Sequence, residues 1–137
     1  MAENDAVETA LRALRFRDRS AAELDTRLAE RGVGEAERAE ALETLERIGY
    51  VDDERVARLR AEQLAARGSG NALIRHDLSG RGLAGQHVEA ALASLEPEAE
   101  RAARVVQRRG GGPKTARYLA SKGFGADALA MAVADED

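Results

Sequence analysis

The chain repeats itself three times. The segments SAAELDTRLAERGVGEAERAEAL from Ser20, GNALIRHDLSGRGLAGQHVEAAL from Gly70 and GGPKTARYLASKGFGADALAMAV from Gly111 align without a gap. Leu28, Leu78 and Leu119 coincide, then Gly32, Gly82 and Gly123, then Val33, Leu83 and Phe124, and finally Leu42, Leu92 and Val133. A period of this length marks a supersecondary unit that gains stability by stacking on its neighbours. Each copy reads as a helix whose apolar stripe ends at a glycine able to take the left-handed conformation, followed by an apolar residue that packs back. A second helix follows after a turn of about four residues, as in a helical hairpin.

An amphipathic stretch precedes each hairpin. Val7, Ala10, Leu11 and Leu14 carry the spacing of a core-facing helix, and residues 53–67 and 98–109 supply the same element in the later copies. The apolar residues, 44% of the chain, are mostly Ala, Leu and Val, with few aromatics to build strands. The expected fold is therefore all-α: three tandem three-helix repeats, residues 5–50, 51–96 and 97–135, in an elongated array open to curvature. RGGGPK, from Arg109 to Lys114, is expected to be the loosest joint because of its glycines, with Pro113 in the first turn of the helix that follows.

Between the first two repeats stands GYVDDERVA, from Gly49 to Ala57, with two adjacent carboxylates. Gly49 is expected to end one helix and Asp52 to cap the next, with Asp53 and Glu54 beside the positive end of its dipole. Tyr50 and Val51 are expected to pack into the joint. The segment lacks the alternating oxygen ligands and glycine turn of a calcium loop, and a catalytic dyad would need a pocket and a companion group. The pair reads as a helix boundary.

The formal net charge of −4 hides a polarised molecule. Residues 20–54 hold 11 acids against 4 bases, a net of −7, whereas residues 101–122 hold Arg101, Arg104, Arg108, Arg109, Lys114, Arg117 and Lys122 with no acid, a net of +7. Ordinary exposed helices interleave both signs, so this acid-free stretch is a candidate surface for a polyanion or an acidic protein. Arg67, Arg75 and Arg81 are weaker candidates, set among acids such as Asp77. Isolated surface charges of that kind usually contribute little.

With no cysteine and only His76 and His87 as imidazoles, thiolate metal sites and thiol nucleophiles are excluded. Neither a phosphate loop nor a nucleophile elbow is present. No enzyme, cofactor or metal is expected. No run is long enough to span a bilayer, and the acidic N-terminus carries no signal-like apolar region, so a cytoplasmic protein is expected. Short-turn hairpins leave open a helix-turn-helix reader of DNA, although EAERAEALETLERI carries five glutamates that phosphates would repel. A helical adaptor is a further alternative.

The residues that carry the repeat also resemble a known family. Arg19-Ser20, Glu23-Leu24, Leu28, Gly49-Tyr50, Asp52-Asp53, Ala57, Gly70, Leu78, Gly82 and Ala91-Leu92 are similar, in order and spacing, to the RecX family of recombination regulators. The likeness extends over nearly the whole chain and implies tandem three-helix repeats. It also implies a regulator that binds the RecA recombinase filament on single-stranded DNA and restrains its growth, ATP hydrolysis and strand exchange. The basic later repeats would face the filament, with single-stranded DNA a secondary contact and the regulator itself a monomer. Val56 departs from the aromatic that the family often places after the paired aspartates.

Overall fold

A computed structural model of the chain describes residues 3–15 and 17–134. Among them are nine α-helices and no strand. They are α1 (Glu3–Leu14), α2 (Ala21–Glu30), α3 (Glu35–Arg47), α4 (Asp53–Ala66), α5 (Asn71–Gly80), α6 (Gly85–Ser94), α7 (Glu98–Arg109), α8 (Pro113–Ser121) and α9 (Ala126–Ala134). The chain is all-α.

The helices pack in threes, each three around a core of its own. Leu24, Leu28, Val33, Ala41 and Leu45 fill the first core, Ile74, Leu78, Leu83, Val88 and Ala91 the second, and Val106, Leu119, Phe124, Ala128 and Ala132 the third. Each middle helix ends in a Schellman motif. In the first, the N–H of Val33 donates to the Leu28 carbonyl and that of Gly32 to Ala29. Gly82 and Gly123 close α5 and α8 in the same way, and the residues after them, Leu83 and Phe124, are buried. The left-handed φ of +85°, +77° and +87° at Gly32, Gly82 and Gly123 explains why glycine recurs there.

Several core positions differ from those expected. In α1 the buried stripe is Ala6, Ala10 and Ala13, with Leu11 turned toward solvent. In the last helix of each unit the shared buried position is Ala41, Ala91 and Ala132, and Val133 is 47% exposed. Of the larger neighbours, Leu92 is also buried and Leu42 packs against the first core. RGGGPK is tied down instead of loose. Gly112 is buried and donates its N–H to the Ala132 carbonyl at 2.9 Å, and the Thr115 hydroxyl donates to the Gly110 carbonyl at 2.6 Å.

The units meet through their middle helices. At the first joint the Ser20 hydroxyl, the N-cap of α2, donates to the carbonyl of Arg81, the C-cap of α5, at 2.6 Å. At the second, the N–H of Gly70, the N-cap of α5, donates to the carbonyl of Lys122, the C-cap of α8, at 2.7 Å. One helix start thus docks on the next helix end at both joints, satisfying groups that helix termini leave unpaired. The fit is close. A Cβ added to Gly82 would lie 2.5 Å from the Ala22 Cβ, and one on Gly70 would lie 2.5 Å from the Gly123 carbonyl carbon.

Carboxylates reinforce both joints. Asp52 caps α4 as expected, accepting the Arg55 N–H at 3.1 Å. Asp53 does something different: it reaches across to accept the N–H of Ala21, the first residue of α2, at 2.8 Å. Glu98 repeats this at the next joint, accepting the N–H of Asn71 at 2.7 Å with one oxygen and that of Gly125 at 2.7 Å with the other. Tyr50 does not pack into the first joint. Left-handed Gly49 (φ +85°) turns the chain so that Val51 is buried while Tyr50 is 56% exposed.

Candidate interaction groove

Between the second and third units the α4 end and the α7 flank enclose a groove of about 520 Å³. Ala65, Ala66, Leu95, Val105 and Phe124 give it an apolar floor, and Arg101, Arg104 and Arg108 line it from α7. The three arginines share a face because α7 carries them at helical spacing. That much matches the sequence pattern.

Their environments differ. Arg101 lies under the groove, where its guanidinium donates to the Ser69 carbonyl at 2.9 Å, the Glu96 carbonyl at 2.9 Å and the Asn71 side-chain oxygen. It also lies 5.9 Å from the centre of the Phe124 ring. Burial lowers its pKa from the ordinary guanidinium value, an effect opposed by nearby Glu98. With these bonds Arg101 fastens α7 to α5 and is not available as a free cation. Arg104 sits on the rim, paired with Glu96. Arg108 is exposed on the same rim, and its side chain makes no ion pair among the described residues.

The remaining basic residues are dispersed. Arg109 turns away and stacks on the Tyr118 ring, 3.7 Å from its centre. Lys114 and Arg117 lie exposed on α8, outside the groove. Lys122 contributes its backbone carbonyl to the joint, and its side-chain carbon chain passes near Gly68. Arg67 is the exposed C-cap residue of α4, immediately beside groove residues Ala66 and Gly68.

Arg75 and Arg81 are already paired. Arg75 makes two bonds of 3.1 Å to Glu89, lowering the Glu89 carboxylate pKa. Arg81 binds Asp77 at 2.9 Å and lies 3.6 Å from Glu23 in the first unit, so it belongs to a joint. Arg60 completes that cluster with two bonds to Asp77. Asp77 is held below the usual carboxylate range first by the Arg60 hydrogen bond and then by Arg81. Arg58 and Glu62 form an exposed pair, 3.9 Å apart.

The paired aspartates line a separate small cleft with Glu46, Glu54 and His87. Neither there nor elsewhere among the described residues are three or more His, Asp or Glu side chains placed to hold a metal ion. Asp53 is placed at the first joint by the sequence, but its bond to Ala21 is not, and Ser20, Glu98 and Arg101 do not read as joint residues. One signal was available: α4 and α7 both open on an acid.

Comparison with known proteins places the chain. Residues 6–45 match the domain described as "RecX, first three-helix domain", and residues 52–92 match "RecX, second three-helix domain". The chain belongs to the RecX family. The regulatory protein RecX of Xanthomonas campestris pv. campestris is 34% identical over 140 aligned positions, covering 95% of this chain and 86% of that protein. The RecX of Chromohalobacter salexigens is 32% identical, covering 93% and 90%. That of Mycolicibacterium smegmatis is 37% identical over 101 positions, covering 72% of this chain and 53% of its own length.

The RecX fold is shared as well. A crystal structure of RecX from Lactobacillus salivarius superposes with a TM-score of 0.81 at 20% identity, covering 94% of this chain and 92% of that one. Another, of regulatory protein RecX, gives 0.77 at 21% identity, covering 95% and 72%. None of the helices among the described residues is long and apolar enough to cross a membrane.

Proposed function

We propose that this RecX-family chain is a non-enzymatic regulator that binds the RecA filament on single-stranded DNA and restrains its growth, ATP hydrolysis and strand exchange. Membership of a family of regulatory proteins supports the class of function. The observation that carries the reading is the groove between the second and third units, where an apolar floor is rimmed by Arg108 and by Arg104 with its partner Glu96, and Arg67 lies alongside.

Apolar surface beside cations suits a folded protein partner with acidic rim residues, because area burial supplies affinity and the charges supply orientation and on-rate. A bare polyanion would gain little from Val105 and Phe124. Single-stranded DNA inside the filament is the secondary contact, through Lys114, Arg117 and Lys122. The acidic last helix of the first unit, with Glu35, Glu37, Glu40, Glu43 and Glu46, weakens the alternative of a sequence-specific helix-turn-helix reader.

Co-sedimentation with preassembled RecA filaments on single-stranded DNA tests the binding step. The chain is expected to pellet with filaments and to remain in the supernatant with RecA-free DNA at physiological salt. Equal recovery with and without RecA would contradict a protein-filament partner.

A further inference from the structure

The acid-rich first unit contains one concentrated basic site. A pocket of about 190 Å³ between α1 and α2 is lined by Arg12, Arg19, Arg27 and Arg31, together with Thr9 and Ala13, and by no acid. The Arg19 Nε donates to the Ala13 carbonyl at 3.2 Å, leaving its terminal nitrogens for the pocket. Arg12, Arg27 and Arg31 make no ion pair among the described residues. Nearby Glu23 is engaged elsewhere, accepting the Ser20 N–H and lying 3.7 Å from Arg17 and 3.6 Å from Arg81. Glu23 and Glu30 line an adjoining cleft with Arg19 and Arg27, and Glu23 partly offsets the repulsion at Arg19 without entering the pocket.

The internal repeat shows what such a place normally holds. In the gap-free alignment of the first two units, Arg27 falls on Asp77 and Arg31 on Arg81. The second unit sets the Asp77 carboxylate between Arg60 and Arg81, with bonds of 2.9 to 3.1 Å. The first unit puts a fourth cation where that anion would stand. Mutual repulsion of guanidinia disfavours the arrangement unless an outside anion completes it. Burial, and after it the neighbouring Arg17 and Arg27, lower the Arg19 pKa, as expected where cations crowd.

We propose that the Arg12, Arg19, Arg27 and Arg31 pocket of the first unit is an anion site that takes a phosphate group of a nucleic-acid backbone. A single carboxylate balances the two arginines of the second unit. Four guanidinia call for more charge and more acceptor oxygens, which successive phosphates present, and guanidinium forks match phosphate geometry. The site lies in the first unit, whereas the groove lies between the second and third. A DNA strand held at this site and at Lys114, Arg117 and Lys122 of the third unit would be bound at two places along the chain.

Fluorescence anisotropy with a labelled oligo(dT) at low ionic strength, where phosphate contacts are strongest, tests the site without any recombinase, so its result stands apart from the filament reading at physiological salt. Arg27→Asp copies the second unit and is expected to keep the thermal midpoint while weakening binding by about tenfold or more. It should also reduce the slope of log affinity against log salt by about 0.7 for each phosphate that is no longer neutralised. Arg31→Gln, which adds no negative charge, is expected to weaken binding by a smaller factor. Arg47→Asp, at the exposed end of α3, carries the same charge change and should leave affinity within about twofold.

Unchanged binding in Arg27→Asp, or an equal loss in Arg47→Asp, would overturn the site. Competition by inorganic pyrophosphate in the wild type and not in Arg27→Asp supports it. If pyrophosphate raises the wild-type midpoint while oligo(dT) does not bind, the nucleic-acid source is wrong and a free phosphate compound is the ligand. Displacement of bound oligo(dT) by polyglutamate and not by pyrophosphate would overturn phosphate as the ligand class in favour of an acidic peptide.

Discussion

The carboxylate of Asp53 accepts the backbone N–H of Ala21 at 2.8 Å, reaching from the first turn of α4 to the first turn of α2. Glu98 makes the corresponding bond to Asn71 from the first turn of α7 to that of α5. Each of these two middle helices is thus capped partly by a carboxylate from the next unit. The adjacent aspartates therefore have different tasks. Asp52 serves its own helix, whereas Asp53 couples two units.

Substituting each aspartate separates the two tasks. Asp52→Ala should lower stability by about 0.5–2 kcal/mol through removal of a cap. Asp53→Ala should cost about 1.5–3 kcal/mol, the range for a hydrogen bond to a charged group. Only Asp53→Ala should speed hydrogen exchange at the Ala21 amide relative to the core of α2. Urea titration with exchange measured by NMR gives both readouts, and equal Ala21 exchange in the two variants would remove the coupling role.

Close backbone approach at the second joint leaves no room for a side chain at Gly70. Its φ of −83° suits any residue, so the obstacle is steric: a Cβ would meet the Gly123 carbonyl and the Phe124 nitrogen at 2.5 Å. Backbone atoms cannot rotate aside. Gly70→Ala should therefore destabilise by about 1–3 kcal/mol as the joint opens. Gly80→Ala, which meets nothing within 4 Å at the end of α5, should be neutral or stabilising by up to about 1 kcal/mol. Thermal unfolding of the two variants checks the contrast.

The Asp77 cluster predicts an acid-side loss of stability. Its folded-state pKa is depressed by Arg60 and Arg81, so its stabilisation is present above the unfolded carboxylate value and disappears as pH falls through the folded value. The thermal midpoint of Asp77→Asn should fall below that of the wild type at pH 7 by a margin that is constant down to about pH 4 and shrinks below it. A margin that widens on acidification would contradict the assignment.

These joints show where sequence patterns carry far and where they stop. Leucine and glycine recur at fixed spacing in Leu28-Gly32, Leu78-Gly82 and Leu119-Gly123, because a helix stripe and its left-handed stop are local requirements. The extents of α4 and α7 followed from the same kind of pattern. Asp53 with Ala21, by contrast, joins residues 32 apart, and Arg101 with Ser69 also joins residues 32 apart. No local period encodes such pairs. Alanines were misleading for a related reason: they occur on every helix face, so of the buried set Ala6, Ala10 and Ala13 only Ala10 falls on the stripe that the leucine and valine spacing marks. Acid-free composition likewise suggested one basic patch, but folding drew Arg101 into a joint, turned Arg109 onto Tyr118 and left Arg104 and Arg108 on the groove.

RecA's DNA-dependent ATPase, titrated with the wild-type chain and with the Arg104→Glu, Arg108→Glu double variant, tests the proposed function most directly. Both side chains are exposed, so the variant should keep its helical circular dichroism and its thermal midpoint. The wild type is expected to inhibit ATP hydrolysis, with the effect increasing from substoichiometric to stoichiometric amounts. The double variant is expected to need at least about tenfold more protein, as when oriented rim charges are reversed. No inhibition by the wild type at either ratio would contradict the regulatory reading, and equal inhibition by the folded double variant would contradict the groove.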